Sequence, residues 1–399
     1  MSKSNSAFAK LSLLLPWLCL LAWMPLQAAA EETSLTETFA RYARHGADVW
    51  ARNPSARISG EGKSCISCHT SLPYALVEPL LEDDYQAYQD MLENIDNRIV
   101  GWNDNTPWYS EDKLEQTAVH GGMPPDALKE VLDAADSRGV EAVFNAVIRA
   151  SHDAYAGVPA KRETQMAFRN MWAEQVKTGE AAGRWRWIYA NLLPWEVTDS
   201  DLWGASLACV AASIYPDLAP EGDLQLLHQA LQQASVNADV SLHVKSGILW
   251  CDTETGGRIL NDGQARELAN ELLELQRDDG GWTLRDLGPW PEWEGSDADC
   301  CQKRELRSDA YATGFVTLAL TRSRHLLPAE QQTKLDQSVA WIDQQLSNPY
   351  PDGPRYNRHN SGDGGLPEFR NNLYTNAGHM WAFLAKTAHQ KGMAPWSGD

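Results

Sequence analysis

The strongest chemistry in this chain is a five-residue cluster, Cys65-Ile66-Ser67-Cys68-His69. Two thiols about one helical turn apart can each reach one vinyl group of a porphyrin. The adjacent imidazole is then carried under the iron as an axial ligand. Its Nε2 would bind the metal, and Nδ1–H needs an acceptor to hold the ring. The spacing therefore predicts attachment of haem c, with Cys65 and Cys68 as tethers and His69 as iron ligand. Three other readings remain open. A zinc site needs two further ligands, and none lies nearby in sequence. A thioredoxin-like redox pair needs a βαβ context that the flanking pattern lacks. A plain structural disulfide needs nothing more.

A six-coordinate iron needs a second axial ligand. His120-Gly121-Gly122-Met123-Pro124-Pro125 presents a thioether and an imidazole in a glycine-rich loop ahead of a helical pattern. This segment resembles the Met-Pro loop that supplies the distal ligand in many small cytochromes c. Proline fixes the backbone just after Met123 and is tolerated in a first helical turn. Met123 is the expected ligand, with His120 beside it; His45 and Met91 are weaker choices. The opposing reading makes Met123 packing and His120 solvated. An open iron position would favour small-ligand or peroxide chemistry over electron carriage.

The compartment must suit such chemistry. Lys3 and Lys10 flank a polar start, Leu11 to Leu26 is apolar, and Ala28-Ala29-Ala30 closes the stretch. Residues 1–30 read as a cleaved secretory signal peptide, with a retained anchor as the alternative. Cys19 has no small residues ahead of it, which opposes a lipoprotein site. No later segment is long and apolar enough for stable membrane insertion. A periplasmic or otherwise exported location permits disulfides among Cys209, Cys251, Cys300 and Cys301. Four cysteines allow three pairings. Cys209 sits in an apolar helix pattern and reads as core; Cys251, Cys300 and Cys301 are the better candidates.

Composition limits the partners. The 399 residues carry 34 Lys plus Arg against 54 Asp plus Glu, a formal charge of −20 that becomes −22 once Lys3 and Lys10 are removed. Nucleic acid and anionic lipid are opposed, because phosphate binding needs a basic face. A basic redox protein fits. The 17 Trp residues exceed what a minimal core needs, so a repeated use for tryptophan is expected.

That repetition is visible. Asp199 to Ala208, Ser308 to Phe315 and Asn371 to His379 each begin with a Ser, Asp or Asn cap, followed by an aromatic and small residues. Ahead of two of them stands a Gln, Gly and Trp arrangement. Gln276 to Trp282 is the clearer copy, and Gln175, Gly183 and Trp185 form the looser one. Leu193-Pro194-Trp195 and Leu287-Gly288-Pro289-Trp290 follow them. Self-similarity of this kind signals a repeat architecture.

These segments resemble the QW-type repeats of the terpenoid cyclase and prenyltransferase α/α-toroid family, over most of residues 135–390. Together with Cys65 to Thr70 they look similar to a cytochrome c-containing squalene-cyclase-like group. The resemblance implies an all-α chain, an α/α toroid of about six helix pairs. Outer helices are expected near 34–50, 163–178, 221–235, 262–276 and 330–346. Inner ones are expected near 66–80, 137–151, 199–214, 239–253, 308–323 and 370–388. The division is a signal peptide at 1–30, a haem-attachment region at 31–135 and toroid repeats at 136–399. Residues 31–135 form either a separate cytochrome-like domain or the first toroid helices. In the merged form, haem lies at the rim shared by Asp199, Asp201, Ser308, Asp309 and Asn372.

The family's own reactions are not expected. Protonation-initiated cyclases use a DxDD acid kept protonated by its surroundings. Asp199-Ser200-Asp201-Leu202 and Asp297-Ala298-Asp299-Cys300 lack the last Asp and read as a helix cap and a solvated loop. Zinc prenyltransferases need Asp-x-Cys, whereas Asp309-Ala310-Tyr311 ends in Tyr. The Trp and Tyr at the repeat turns read mainly as packing staples, though Trp203 and Tyr311 could line a central pocket. The stretch from Asn348 to Gly364 reads as an exposed connection with His359 solvated. The expected function is single-electron transfer by an exported haem protein. The alternatives are a haem oxidoreductase acting on an apolar molecule in the ring, and a non-catalytic binding ring.

Overall fold

The computed structural model describes residues 36–52, 65–81, 85–105, 137–188, 194–290, 308–347 and 367–396, apart from positions 38 and 393. Among them the chain is all-α, with no strand. The helices are α1 (39–52), α2 (Ser71–Val77), α3 (Gln86–Val100), α4 (Ser137–Tyr155), α5 (Arg162–Glu174) and α6 (Ser200–Ile214). They continue as α7 (Glu221–Val236), α8 (Leu242–Glu254), α9 (Asp262–Glu274), α10 (Ala310–Arg322), α11 (Ala329–Leu346) and α12 (Pro367–Lys391).

Two burial patterns sort them. In α5, burial falls on Thr164, Ala167, Phe168, Met171 and Trp172, and in α9 on Ala265, Leu268, Ala269, Leu272 and Leu273. That is the single apolar stripe of a helix with one wet face. By contrast, α8 is buried at every position from Leu242 to Asp252, and α10 from Ala310 to Thr321. Helices buried all round need neighbours on every side. The packing supplies them: α2 lies against α4, α4 against α6, α6 against α8, α8 against α10, α10 against α12, and α12 returns to α2. The striped helices pack outside this set, α5 on α4, α7 on α6, α9 on α8, and α11 on α10 and α12.

Helix α3 is absent from the sequence-based expectation, although its buried Tyr88, Leu92, Ile95 and Ile99 follow helical spacing. It is held by the buried bidentate pair of Arg98 with Glu141 on α4, the second contact being Nη2 to Oε2 at 2.9 Å. The Arg44 to Glu78 pair ties α1 to the end of α2, and Phe39 stacks on Phe383 of α12 at 4.2 Å.

The Gln-Gly-Trp segments are structurally equivalent. Gln175 Nε2 donates to Gly183 O and to Asp223 O on α7; Gln276 Nε2 donates to Gly280 O and to Lys334 O on α11. The indoles of Trp185 and Trp282 donate to Met171 O and Leu272 O. Gly183 and Gly280 have φ of +87° and +91°, and a Cβ at either would strike the backbone carbonyl of Leu226 or Gln337. Only glycine meets both demands. Each motif thus staples one outer helix to the next outer one.

Three expectations are corrected. The inner helix expected from 66 begins at Ser71, because residues 65–70 form the turn that precedes it. Asp199 stands at the N-cap position of α6, but its side chain makes no capping bond there; its Oδ2 accepts the amide of Ser241 at 2.8 Å, tying the start of α6 to that of α8. Cys209 is not simply core. It is bonded to Cys251, both fully buried, with Cα atoms 5.8 Å apart and 42 residues between them, so the bridge joins α6 to α8. Spacing could not select this pair, since the two apolar helix faces meet only once packed. Residues 1–30, Cys300, Cys301, Asp297, Asp299 and His359 lie outside the described residues.

Replacing both Cys209 and Cys251 with Ala is expected to lower the unfolding free energy by about 2–4 kcal/mol. Urea unfolding of the oxidised proteins measures it, and an unchanged midpoint would mean the bridge contributes nothing.

Candidate functional site

The Cys65 to His69 segment is shaped by its own serine. Ser67 Oγ accepts the amides of Thr70 and Ser71, both at 3.1 Å, and Ser67 O accepts the Leu72 amide at 3.0 Å. These bonds satisfy donors at the start of α2 that a helix leaves without partners. Trp50 of α1 donates its indole N–H to Cys65 O at 2.9 Å. The turn is therefore fixed at both ends.

Cys65 and Cys68 are buried and remain thiols. Burial, with added repulsion from Glu196 and Cys65, pushes the Cys68 thiol well above its ordinary value. It stays protonated at neutral pH, unlike the activated thiolate of a redox pair. His69 Nδ1 lies 2.9 Å from Thr70 Oγ1, and burial lowers the His69 pKa to about 3. The imidazole is neutral; with the proton on Nδ1, the lone pair is on Nε2. A cavity of about 250 Å³ opens beside Cys65 between α1, α2 and α3, with Trp50, Tyr74 and Met91 in its wall.

Helix starts surround the imidazole. The Trp50 ring meets His69 edge-on at 4.7 Å, and Trp195, just ahead of α6, stands 6.2 Å away. Trp195 Nε1 donates to Tyr311 Oη at 3.0 Å in the first turn of α10. Tyr311 Oη lies 2.8 Å from His243 Nε2 in the first turn of α8. His69, Trp195, His243 and Tyr311 thus gather the starts of α2, α6, α8 and α10 at one place. Asp309 adjoins it as the cap of α10, accepting the amides of Ala312 and Leu284. Asp201 is engaged by Arg184 at 3.2 Å, a surface-facing pair and not an isolated acid.

Of the expected ligands, Cys65, Cys68 and His69 occupy one turn. His45 is exposed on α1, and Met91 is half-buried in the cavity wall. Met123 and His120 lie outside the described residues. Trp203 and Tyr311 are fully buried, Trp203 packing edge-on against Phe144 and Trp187. Sequence reading missed Trp50, Glu196 and His243. Only the Leu-Pro-Trp repeat hinted at Trp195, and nothing local marks a histidine three bonds of packing away. Among the described residues, no three or more His, Cys, Asp or Glu side chains group as a metal site, so the extra ligands zinc requires are not found there.

No protein-family model matches the chain. No curated protein matches it either.

The desolvated titrating groups work in opposite directions. His69 and His243, each lowered by burial from 6.5 to about 3, bind fewer protons folded than unfolded. Their contribution is lost as pH falls from about 6.5 towards 3. Glu196 is raised by burial from 4.5 to about 7, so its contribution is lost as pH rises through that window. A Glu196→Gln protein is expected to unfold at a higher urea midpoint than the parent at pH 8 and close to it at pH 4. Equal midpoints at pH 8 would refute the raised pKa of Glu196.

Proposed function

We propose that this chain is an exported c-type haem protein built on an α/α toroid and passing single electrons. The observation that carries the reading is the turn itself. Two buried thiols and a neutral imidazole, its Nδ1 engaged by Thr70, share one fixed turn at the start of α2. These residues fit the group in chemistry. Cys65 and Cys68 would tether haem c, His69 would ligate the iron through Nε2, and Met123 is the distal ligand chosen on sequence. Bound haem would supply a one-electron iron couple whose potential follows its axial ligands and burial.

The chain's own residues would do the rest. Ser67 holds the turn, Thr70 holds the imidazole, and Trp50 and Trp195 flank it. The cyclic order of helix contacts, α2 through α12 and back, supports the toroid, as do the paired staples at Gln175 and Gln276. Contact of α2 with α4 and α12 favours the merged arrangement over a separate cytochrome domain. The Cys209–Cys251 bridge suits an oxidising, exported location. Among the described residues, no helix is long and apolar enough to cross a membrane. The charge of −20 suits a basic electron-transfer partner, with association that weakens as salt rises.

Expression with a haem-attachment system is expected to give a coloured protein one haem heavier than its polypeptide. A Cys65→Ala, Cys68→Ala protein is expected to lose the covalent group. A parent protein with the mass of its amino acids alone would end the proposal, as would haem retained in denaturant by the double variant.

A further inference from the structure

We infer that Tyr311 and His243 position the His69 imidazole through Trp195, so that the starts of α8 and α10 set the electronic state of the iron; this rests on the haem reading above. An indole N–H can only donate, so Tyr311 Oη accepts from Trp195 at 3.0 Å. The same hydroxyl shares a hydrogen bond with His243 Nε2, 2.8 Å away. Burial keeps the Tyr311 phenol protonated and His243 neutral, so the bond between them carries no charge at working pH. The hydrogen bonds therefore link Trp195, Tyr311 and His243 in one line, and every member is buried.

Both rings beside His69 are pinned. Trp50 is held by Cys65 O on one side, and Trp195 by Tyr311 on the other. Trp195 is held a second time at its carbonyl, which accepts the Trp187 indole at 2.8 Å. An imidazole edge-on to one fixed indole and tilted 53° to another has little freedom to rotate. Its plane fixes how its orbitals meet the iron, and the support behind a ligand tunes the metal. Removing the Tyr311 hydroxyl takes away the acceptor 3.0 Å from Trp195 Nε1 and loosens the ring's hold beside His69. Tyr311 and His243 are positioning residues, since neither is required to touch the iron.

The test uses the full-length holoprotein and three variants: Tyr311→Phe, Trp195→Phe and Thr317→Val. Thr317 lies on the same helix and donates a buried hydrogen bond to Ser338 at 3.0 Å, so its variant matches a structural loss with no link to Trp195. Haem content is read by intact mass, and the iron by ferric EPR g-values and midpoint potential. Tyr311→Phe and Trp195→Phe are expected to move the g-values and the potential at full haem load, with Thr317→Val at parental values. If Tyr311→Phe does not fold, Trp195→Phe carries the comparison. Shifts no larger than those of Thr317→Val would overturn the positioning role while leaving the haem reading intact. A parent protein without haem would overturn that reading, and this role with it.

Discussion

A buried indole N–H without an acceptor is costly, and in this chain most such groups find one, usually on another segment. Trp185 and Trp282 reach back to the helix before their turn, Trp187 to the Trp195 carbonyl, Trp50 to Cys65 and Trp195 to Tyr311. Each bond pins a large apolar surface while preventing the cost of an orphaned donor, about 1–3 kcal/mol. The rule explains why tryptophan is so heavily used and why it clusters at repeat turns. It also links fold to site, because the two indoles beside His69 are held by the same kind of bond that joins the helices. The N–H groups of Trp172, Trp203 and Trp381 find no such acceptor, and nothing in the packing explains them.

Burial governs the chemistry of the candidate site more than nearby charge does. Although the chain is strongly acidic, desolvation is the leading cause of the shifts at His69, His243, Glu196 and Cys68. It drives all four towards their neutral forms. Such an interior keeps the imidazoles uncharged and the Cys68 thiol protonated. The same low polarity makes the hydrogen bonds of Thr70, Tyr311 and His243 matter, since no water competes for them.

The repeat supplies the burial. Helix α2 has only seven residues and cannot bury a turn unaided, yet it is walled by α4 and α12. Placing the Cys65 to His69 turn at the start of one fully surrounded helix brings it beside the starts of others. The scaffold is thus part of the site.

The sequence by itself determined the local pieces. The cysteine and histidine spacing marked the turn, and the Gln-Gly-Trp arrangement marked the repeat turns, because the Gln-to-Gly bond and the glycine conformation are local; the ties to Asp223 and Lys334, 48 and 58 residues on, are not. The helix ranges implied by the repeat resemblance lie close to the observed ones, most closely at Glu221–Val236 and Ala329–Leu346. Tertiary structure decided what depends on distant segments meeting. It moved Asp199 from a local cap to a tie with Ser241, and it paired Cys209 with Cys251 across 42 residues. It also brought Trp195, Tyr311 and His243 to His69. Their positions lie far apart along the chain, and no short-range pattern encodes which helix ends come together; that is fixed only when surrounded helices find neighbours on every side.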